Sequence, residues 1–330
     1  MLAGAAASCD GDVSVVQGPP PEPAALIPRA ELFSAAAQSD GQLSPRGDRV
    51  AFMAPRGGVT NLWVLSVDAM DEARALTDDR DRGVRGPVWA HDNATLLFLR
   101  DEAGDENWRL YAVDAAGERT RALTPPGARA EILGVSANDP GGVVVALTLR
   151  ERLWPDVYRI ELATGARTLM FRNSGGFFRF VVDSENKLRL GMRRLPDGDA
   201  ELMARTDDGA WRLLSAIPAQ DVFSSRPLAI EAGGQSFLML DPTGRDRAAL
   251  VRVQMASGER TVLGASERAD VADVWLDPAT RAPEAWAADY LRREWRGLDP
   301  DASADLDFLD RQLSGDFSVA SRSADDSRWI

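Results

Sequence analysis

Apolar residues along this chain come in short runs, each closed by Gly, Asp, Asn or Pro, and the runs repeat. Leu43-Ser44-Pro45-Arg46-Gly47-Asp48-Arg49-Val50-Ala51-Phe52 can be laid on Trp89-Ala90-His91-Asp92-Asn93-Ala94-Thr95-Leu96-Leu97-Phe98. Both copies continue into an Asn-headed apolar segment, Asn61-Leu62-Trp63-Val64 and Asn107-Trp108-Arg109-Leu110. The offset is 98 − 52 = 46 for the Phe pair and 107 − 61 = 46 for the Asn pair. Runs this short between turn residues are strands rather than helices. A fixed period of about forty to fifty residues, built from strand, turn and strand, predicts a four-stranded propeller blade. One blade cannot cover both of its faces, so several must stack in a ring.

The copies continue with decay. The first two close on the same strand, Arg74-Ala75-Leu76-Thr77 and Arg121-Ala122-Leu123-Thr124. Third-strand anchors then fall at Leu62, Trp108, Val157, Leu202 and Leu250, in steps of 46, 49, 45 and 48. A sixth, less regular copy surrounds Val274-Trp275-Leu276 and Glu284-Ala285-Trp286-Ala287. Across residues 301–313, Leu306, Leu309 and Leu313 recur at helical spacing behind Asp299-Pro300, which predicts an amphipathic helical insertion. Beyond it, residues 323–330 align with residues 44–51 and place the last residue in the second strand of a further blade. The expectation is an all-β, seven-bladed β-propeller of four-stranded antiparallel blades over residues 41–330, with the last blade incomplete. The tryptophans at 63, 89, 108, 211, 275, 286, 295 and 329 occupy strand positions that pack between blades, so they read as core rather than as a ligand-stacking platform.

Composition narrows the partners. A chain of 330 residues with 45% hydrophobic content can bury a sizeable core, and no apolar run approaches the ~18 residues a membrane-crossing helix needs. The net charge of −13 disfavours nucleic acid, whose phosphates demand a basic surface. Lys187 is the only lysine, and the single cysteine, Cys9, excludes an intrachain disulfide or a cysteine-rich metal site. Residues 1–28 stand apart from the repeat, being rich in Gly, Pro and Ala without periodicity. Two readings stay open: a linker, or a signal remnant resembling the tail of a bacterial lipoprotein signal, with Cys9 as the lipid-bearing residue. The second reading implies the bacterial cell envelope or periplasm, the first a cytoplasmic protein. Residues 29–40 predict a short helix leading into the first blade.

An ordered set of segments resembles a known family. Residues 27–33, Leu43-Ser44-Pro45, Asn61-Leu62-Trp63-Val64, Leu76-Thr77-Asp78-Asp79, Trp89-Ala90-His91-Asp92 and above all Asp101-Glu102-Ala103-Gly104-Asp105-Glu106-Asn107-Trp108 are similar to the N-terminal propeller of prolyl oligopeptidase-family serine peptidases, of the acylaminoacyl- and dipeptidyl-peptidase type. Asp289-Tyr290, Trp295, Ser321-Arg322-Ser323 and Trp329 continue the resemblance in order. The resemblance implies a propeller that covers the active site of an α/β-hydrolase domain and admits short or unstructured peptides, so peptide substrates are the implied partners. It also draws attention to the loop of Asp105, Glu106, Asn107 and Trp108, where Asn107 caps the turn or Glu106 lines the face towards a hydrolase.

The catalytic parts of such an enzyme are not in this sequence. No G-x-S-x-G elbow occurs, and the only imidazole that could serve a serine as base is His91, at the turn where the first copy has Pro45. The chain itself is therefore expected not to hydrolyse peptides. The acidic pairs Asp78-Asp79, Asp101-Glu102 and Asp105-Glu106 lie at turns without calcium-loop spacing, so neither a metal nor another cofactor is expected. The competing expectation is a free-standing periplasmic propeller that binds a protein partner, since such propellers share the Ser-Pro strand ends.

Overall fold

The computed structural model describes residues 26–33 and 36–330, so the Cys9 expectation lies outside the described residues. The chain divides into two compact units, residues 1–36 and 37–330. Within the first, α1 (Arg29–Leu32) is a single turn of helix that follows Pro28. The second unit carries all the strands among the described residues.

Those strands form six antiparallel sheets in sequence order. Blade one covers residues 39–75, blade two 85–122, blade three 129–171, blade four 177–217, blade five 226–264 and blade six 271–297. In each sheet the neighbours in space are neighbours in sequence, which is the simple up-and-down meander of a propeller blade. The first strands of adjacent blades pack on each other, Ser39–Leu43 against Arg85–Trp89, and Phe177–Val182 against both Arg129–Ser136 and Arg226–Ile230. Fourth strands such as Ala69–Ala75 and Thr120–Ala122 are largely exposed. First strands therefore surround the axis and fourth strands form the rim.

Because each sheet is covered on both faces by its neighbours, its second strand reads as a continuous apolar run rather than an alternation. Leu96, Leu97 and Phe98 are all buried, as are Val143 to Leu147 without interruption. The buried side chains sort into clusters that each belong to a junction between blades. Met53, Leu62 and Leu76 of blade one meet Leu96 and Phe98 of blade two, and Leu190 and Met192 of blade four meet Phe237 and Met239 of blade five. At about 1.5–3 kcal/mol for each large apolar side chain removed from water, these junctions hold the ring.

The blade count corrects the expectation from sequence. Among the described residues there are six blades, not seven, and blade six has three strands, Val271–Leu276, Pro283–Tyr290 and Arg292–Gly297. Where its fourth strand would follow, Asp299 caps α2 (Pro300–Gln312), accepting from the Ala302 amide at 2.8 Å. This helix buries Leu306 with Trp275 and Ala285, and Trp295, Phe317 and Trp329 pack on the same cluster. The C-terminal residues make one isolated bridge, Arg322 with Trp329, in place of a further sheet. The turn between them does copy blade one: Ser323 N donates to Arg328 O at 3.0 Å, as Ser44 N does to Arg49 O at 2.8 Å. Trp329 packs edge-on against Trp275 of blade six, while Ala324 N donates to Pro45 O of blade one at 2.8 Å. The turn thus joins blade six to blade one without forming a blade of its own.

Candidate functional site

The loop singled out from sequence, Asp101 to Trp108, connects the second strand of blade two, Thr95–Arg100, to the third, Arg109–Asp114. The same connection in blade one is only Gly57-Gly58, both in the left-handed region that a tight two-residue turn requires. The extra length shifts the register downstream. Leu62 N donates to Thr77 Oγ1 at 2.9 Å, and the matching bond in blade two is made by Leu110 N to Thr124 Oγ1, also at 2.9 Å. Leu110, not Trp108, therefore takes the place of Leu62, and the Asn61–Asn107 correspondence does not hold. Asn61 is buried and clamps Asp79, accepting from its amide at 2.7 Å and donating to its carbonyl at 3.0 Å. Asn107 instead donates to Asp105, from its amide and from Nδ2, both at 3.0 Å.

Ion pairs hold both ends of the loop. On one side Arg100 Nε lies 2.6 Å from the buried Asp79 carboxylate. Burial pushes the Asp79 carboxyl up, but the amides of Gly83, Asp81 and Arg82 and the Arg100 charge outweigh it and hold the group below its ordinary value. On the other side Arg109 pairs with Glu102 and donates to Thr124 O at 3.2 and 3.1 Å. Between these anchors Ala103, Gly104 and Glu106 all have φ near the left-handed region. Asp105 gathers this bend, and the hydrogen bonds from Asn107 lower its pKa. Trp108 is half-buried under the Arg85 guanidinium, 3.8 Å from the ring centre.

Two acidic groups of this loop remain unused by the fold. Glu106 is exposed and makes no ion pair or hydrogen bond among the described residues. Asp101 is 2% exposed, yet both of its carboxylate oxygens are buried without a partner. No feature of the sequence separates Asp101 from the neighbouring solvated acids; only the packing does. Three or more His, Cys, Asp or Glu side chains do not converge anywhere among the described residues.

His91 lies in the turn between the first two strands of blade two, half-buried, with no serine hydroxyl bonded to its ring among the described residues. Burial lowers its pKa below the usual imidazole value, and the Arg281 charge adds to the shift. Arg281 occupies the corresponding turn of blade six, so the two turns reach over the same opening although blade one separates their blades. Of the tryptophans, those at 89, 275 and 286 are buried, and those at 63, 108, 211, 295 and 329 are partly buried.

A six-bladed ring with a long, ion-paired acidic loop on blade two defines a β-propeller module. No family model matches the chain. It is 39% identical over 306 residues to dipeptidyl aminopeptidase BIII of Pseudoxanthomonas mexicana, an alignment covering 92% of this chain and 44% of that protein. It spans less than half the length of this curated relative. Among solved structures, a prolyl endopeptidase matches with a TM-score of 0.59 at 12% identity, over 79% of this chain and 41% of that one. The β-propeller domain of the Trilobed protease from Pyrococcus furiosus matches with a TM-score of 0.52 at 14% identity, over 80% and 84% of the two chains. The chain belongs with the β-propellers of prolyl oligopeptidase-family serine peptidases.

Proposed function

We propose that this propeller serves a serine peptidase of the dipeptidyl-peptidase type, covering the active site so that only short or unstructured peptides enter, and that it supplies no catalytic residue itself. The observation that carries the reading is the 39% identity to a dipeptidyl aminopeptidase across nearly the whole propeller. The sequence offers no serine elbow, and its sole imidazole is committed to a blade turn. The blade-two loop is the element that meets peptide. Its ends are fixed by Asp79–Arg100 and Glu102–Arg109, and it offers Glu106 as a free acceptor for a peptide ammonium or amide. A free-standing propeller that binds a protein partner remains the alternative, resting on Ser-Pro strand ends alone.

A chimera tests this directly. The propeller of the Pseudoxanthomonas mexicana dipeptidyl aminopeptidase is exchanged for this chain, and hydrolysis of chromogenic dipeptide substrates is compared with that of a folded protein. Retained dipeptide turnover with the folded protein left intact is the expected result. A chimera that degrades the folded protein as fast as the enzyme's isolated hydrolase domain does would refute gating. Turnover of dipeptide substrates by the 330-residue chain alone would refute the absence of catalytic residues.

A further inference from the structure

Charged residues recur at one level of the innermost strands. Arg85, Glu131, Arg179, Arg226 and Asp273 lie on the first strands of blades two to six, in steps of 46, 48, 47 and 47 residues. The repeat that builds the blades therefore also places a ring of charge around the axis. Two of its members are satisfied by the fold: Arg85 lies over the Trp108 ring, and Asp273 pairs with Arg293 at 2.9 Å.

Arg179 is half-buried, and Arg226 is exposed on the neighbouring first strand. Neither guanidinium makes an ion pair among the described residues, and Arg179 Nε is buried without a hydrogen-bond partner. A shortage of carboxylates is not the reason, because the chain has 51 Asp and Glu for 38 Lys and Arg. Several other arginines do find a carboxylate, as Arg150 does in Asp156 at 3.0 Å and Arg252 in Glu231 at 2.7 Å. At Arg179 burial lowers the pKa, Glu131 opposes that and Arg226 reinforces it. Burying part of the Arg179 guanidinium with no anion bonded to it is costly, and two neighbouring guanidinium groups match a carboxylate in shape and charge.

Position supplies the ligand class. First strands begin on the face that also carries connections between second and third strands, because neighbouring strands are antiparallel. Arg226 opens its strand and Arg179 is the third residue of its own, so both lie towards the mouth that shares a face with the blade-two loop. We propose that Arg179 and Arg226 form a carboxylate-binding mouth of the propeller channel, which takes the C-terminal carboxylate of a short peptide. The inference rests on the peptide reading above and adds a polarity to it: cations at the channel mouth, a free carboxylate at Glu106 on the loop.

Isothermal titration of the 330-residue chain with an alanine-rich hexapeptide, as free acid and as C-terminal amide, tests it. The acid should bind at least about tenfold more tightly than the amide, the scale of one charge-assisted contact. That advantage should vanish in R179Q and in R226Q, survive in R179K, and survive in R281Q at the opposite mouth. Equal affinity of acid and amide for the unsubstituted chain, a comparison that needs no variant to fold, overturns the carboxylate site and leaves the peptide reading standing. An acid preference undiminished in both glutamine variants also overturns it. No binding of either peptide overturns both readings.

Discussion

Arg328 Nη1 donates to the carbonyl oxygen of Gly47 at 2.8 Å, and this bond is the Arg49–Asn93 contact of 3.0 Å moved back by one blade. Gly47 and Asn93 are separated by the repeat offset of 46, and both have a left-handed φ at the tip of the turn. The C-terminal turn therefore addresses blade one as blade one addresses blade two. Its apolar side goes to blade six, through Trp329 on Trp275, and its polar side to blade one. The ring is joined at this point by one turn of chain rather than by a sheet.

Arg322 should be the residue on which that junction depends. Its side chain is 8% exposed, pairs with Glu284 of blade six and with Asp326, and lies 4.2 Å from the Trp329 ring centre. Arg322→Ala leaves Glu284 without its cation, so unfolding in urea should lose about 3 kcal/mol. Arg328→Ala removes a single hydrogen bond at an exposed position and should cost under about 1 kcal/mol. Equal effects from the two would show that the junction is not organised around Arg322.

Blade packing predicts a contrast between two glycines. A Cβ on Gly264 would lie 2.4 Å from Trp286 Nε1, inside the junction of blades five and six. Gly264→Ala should therefore destabilise by about 1–3 kcal/mol. Gly175 has open space around its Cβ position and an ordinary φ, so Gly175→Ala should be neutral or slightly stabilising. Thermal melting of both variants measures the difference. A Gly264→Ala variant that melts with the parent would mean that Trp286 can turn aside.

The buried Asp101 carboxylate should be a liability to the folded state. Asp101→Asn keeps the shape and removes the uncompensated charge, and should raise stability by about 1–2 kcal/mol. A lower melting temperature for Asp101→Asn would show that the carboxylate is partnered in solution.

Acidification should expose the cost of charging His91. Its folded pKa is depressed, so below the ordinary value of 6.5 the unfolded chain binds the proton more readily than the folded one. Stability then falls as the pH drops through 6.5 towards the lower folded value, and is fully present above it. His91→Gln should flatten the dependence of melting temperature on pH between about 7.5 and 5.5. Asp79 and Asp139, whose folded values are also lowered, contribute their losses further down, below the ordinary carboxylate value of 3.8. Identical slopes for His91→Gln and the parent above pH 5.5 would rule His91 out.

The blades themselves were legible because their determinants are local. Leu96-Leu97-Phe98 and Val143 to Leu147 announce strands covered on both faces, and at the Ser-Pro strand end Ser44, fully buried, closes its turn through Asp48 at 2.6 Å. Trp108 misled for an equally local reason. Its spacing from Leu62 matched the period, but Trp108 is itself the last residue of the eight-residue loop, which lengthens the repeat by a net two residues, and only the Thr124 bond to Leu110 reveals the true register.

By itself the sequence determined the period, the order of strands within a blade and the kinship with peptidase propellers, all of which live in contacts between residues a turn or a hairpin apart. Tertiary structure decided the number of blades, the conversion of the sixth blade's missing strand into α2 and a turn, and which charges stay unpaired. Ring closure depends on the angle between each pair of blades, and pairing depends on which side chains meet across a junction. Residues 323–330 repeat residues 44–51 in sequence, but one bridge is too little ladder to make a sheet. Asp101 and Asp105 look alike in the sequence. The fold gives one of them two amide donors and buries the other with none.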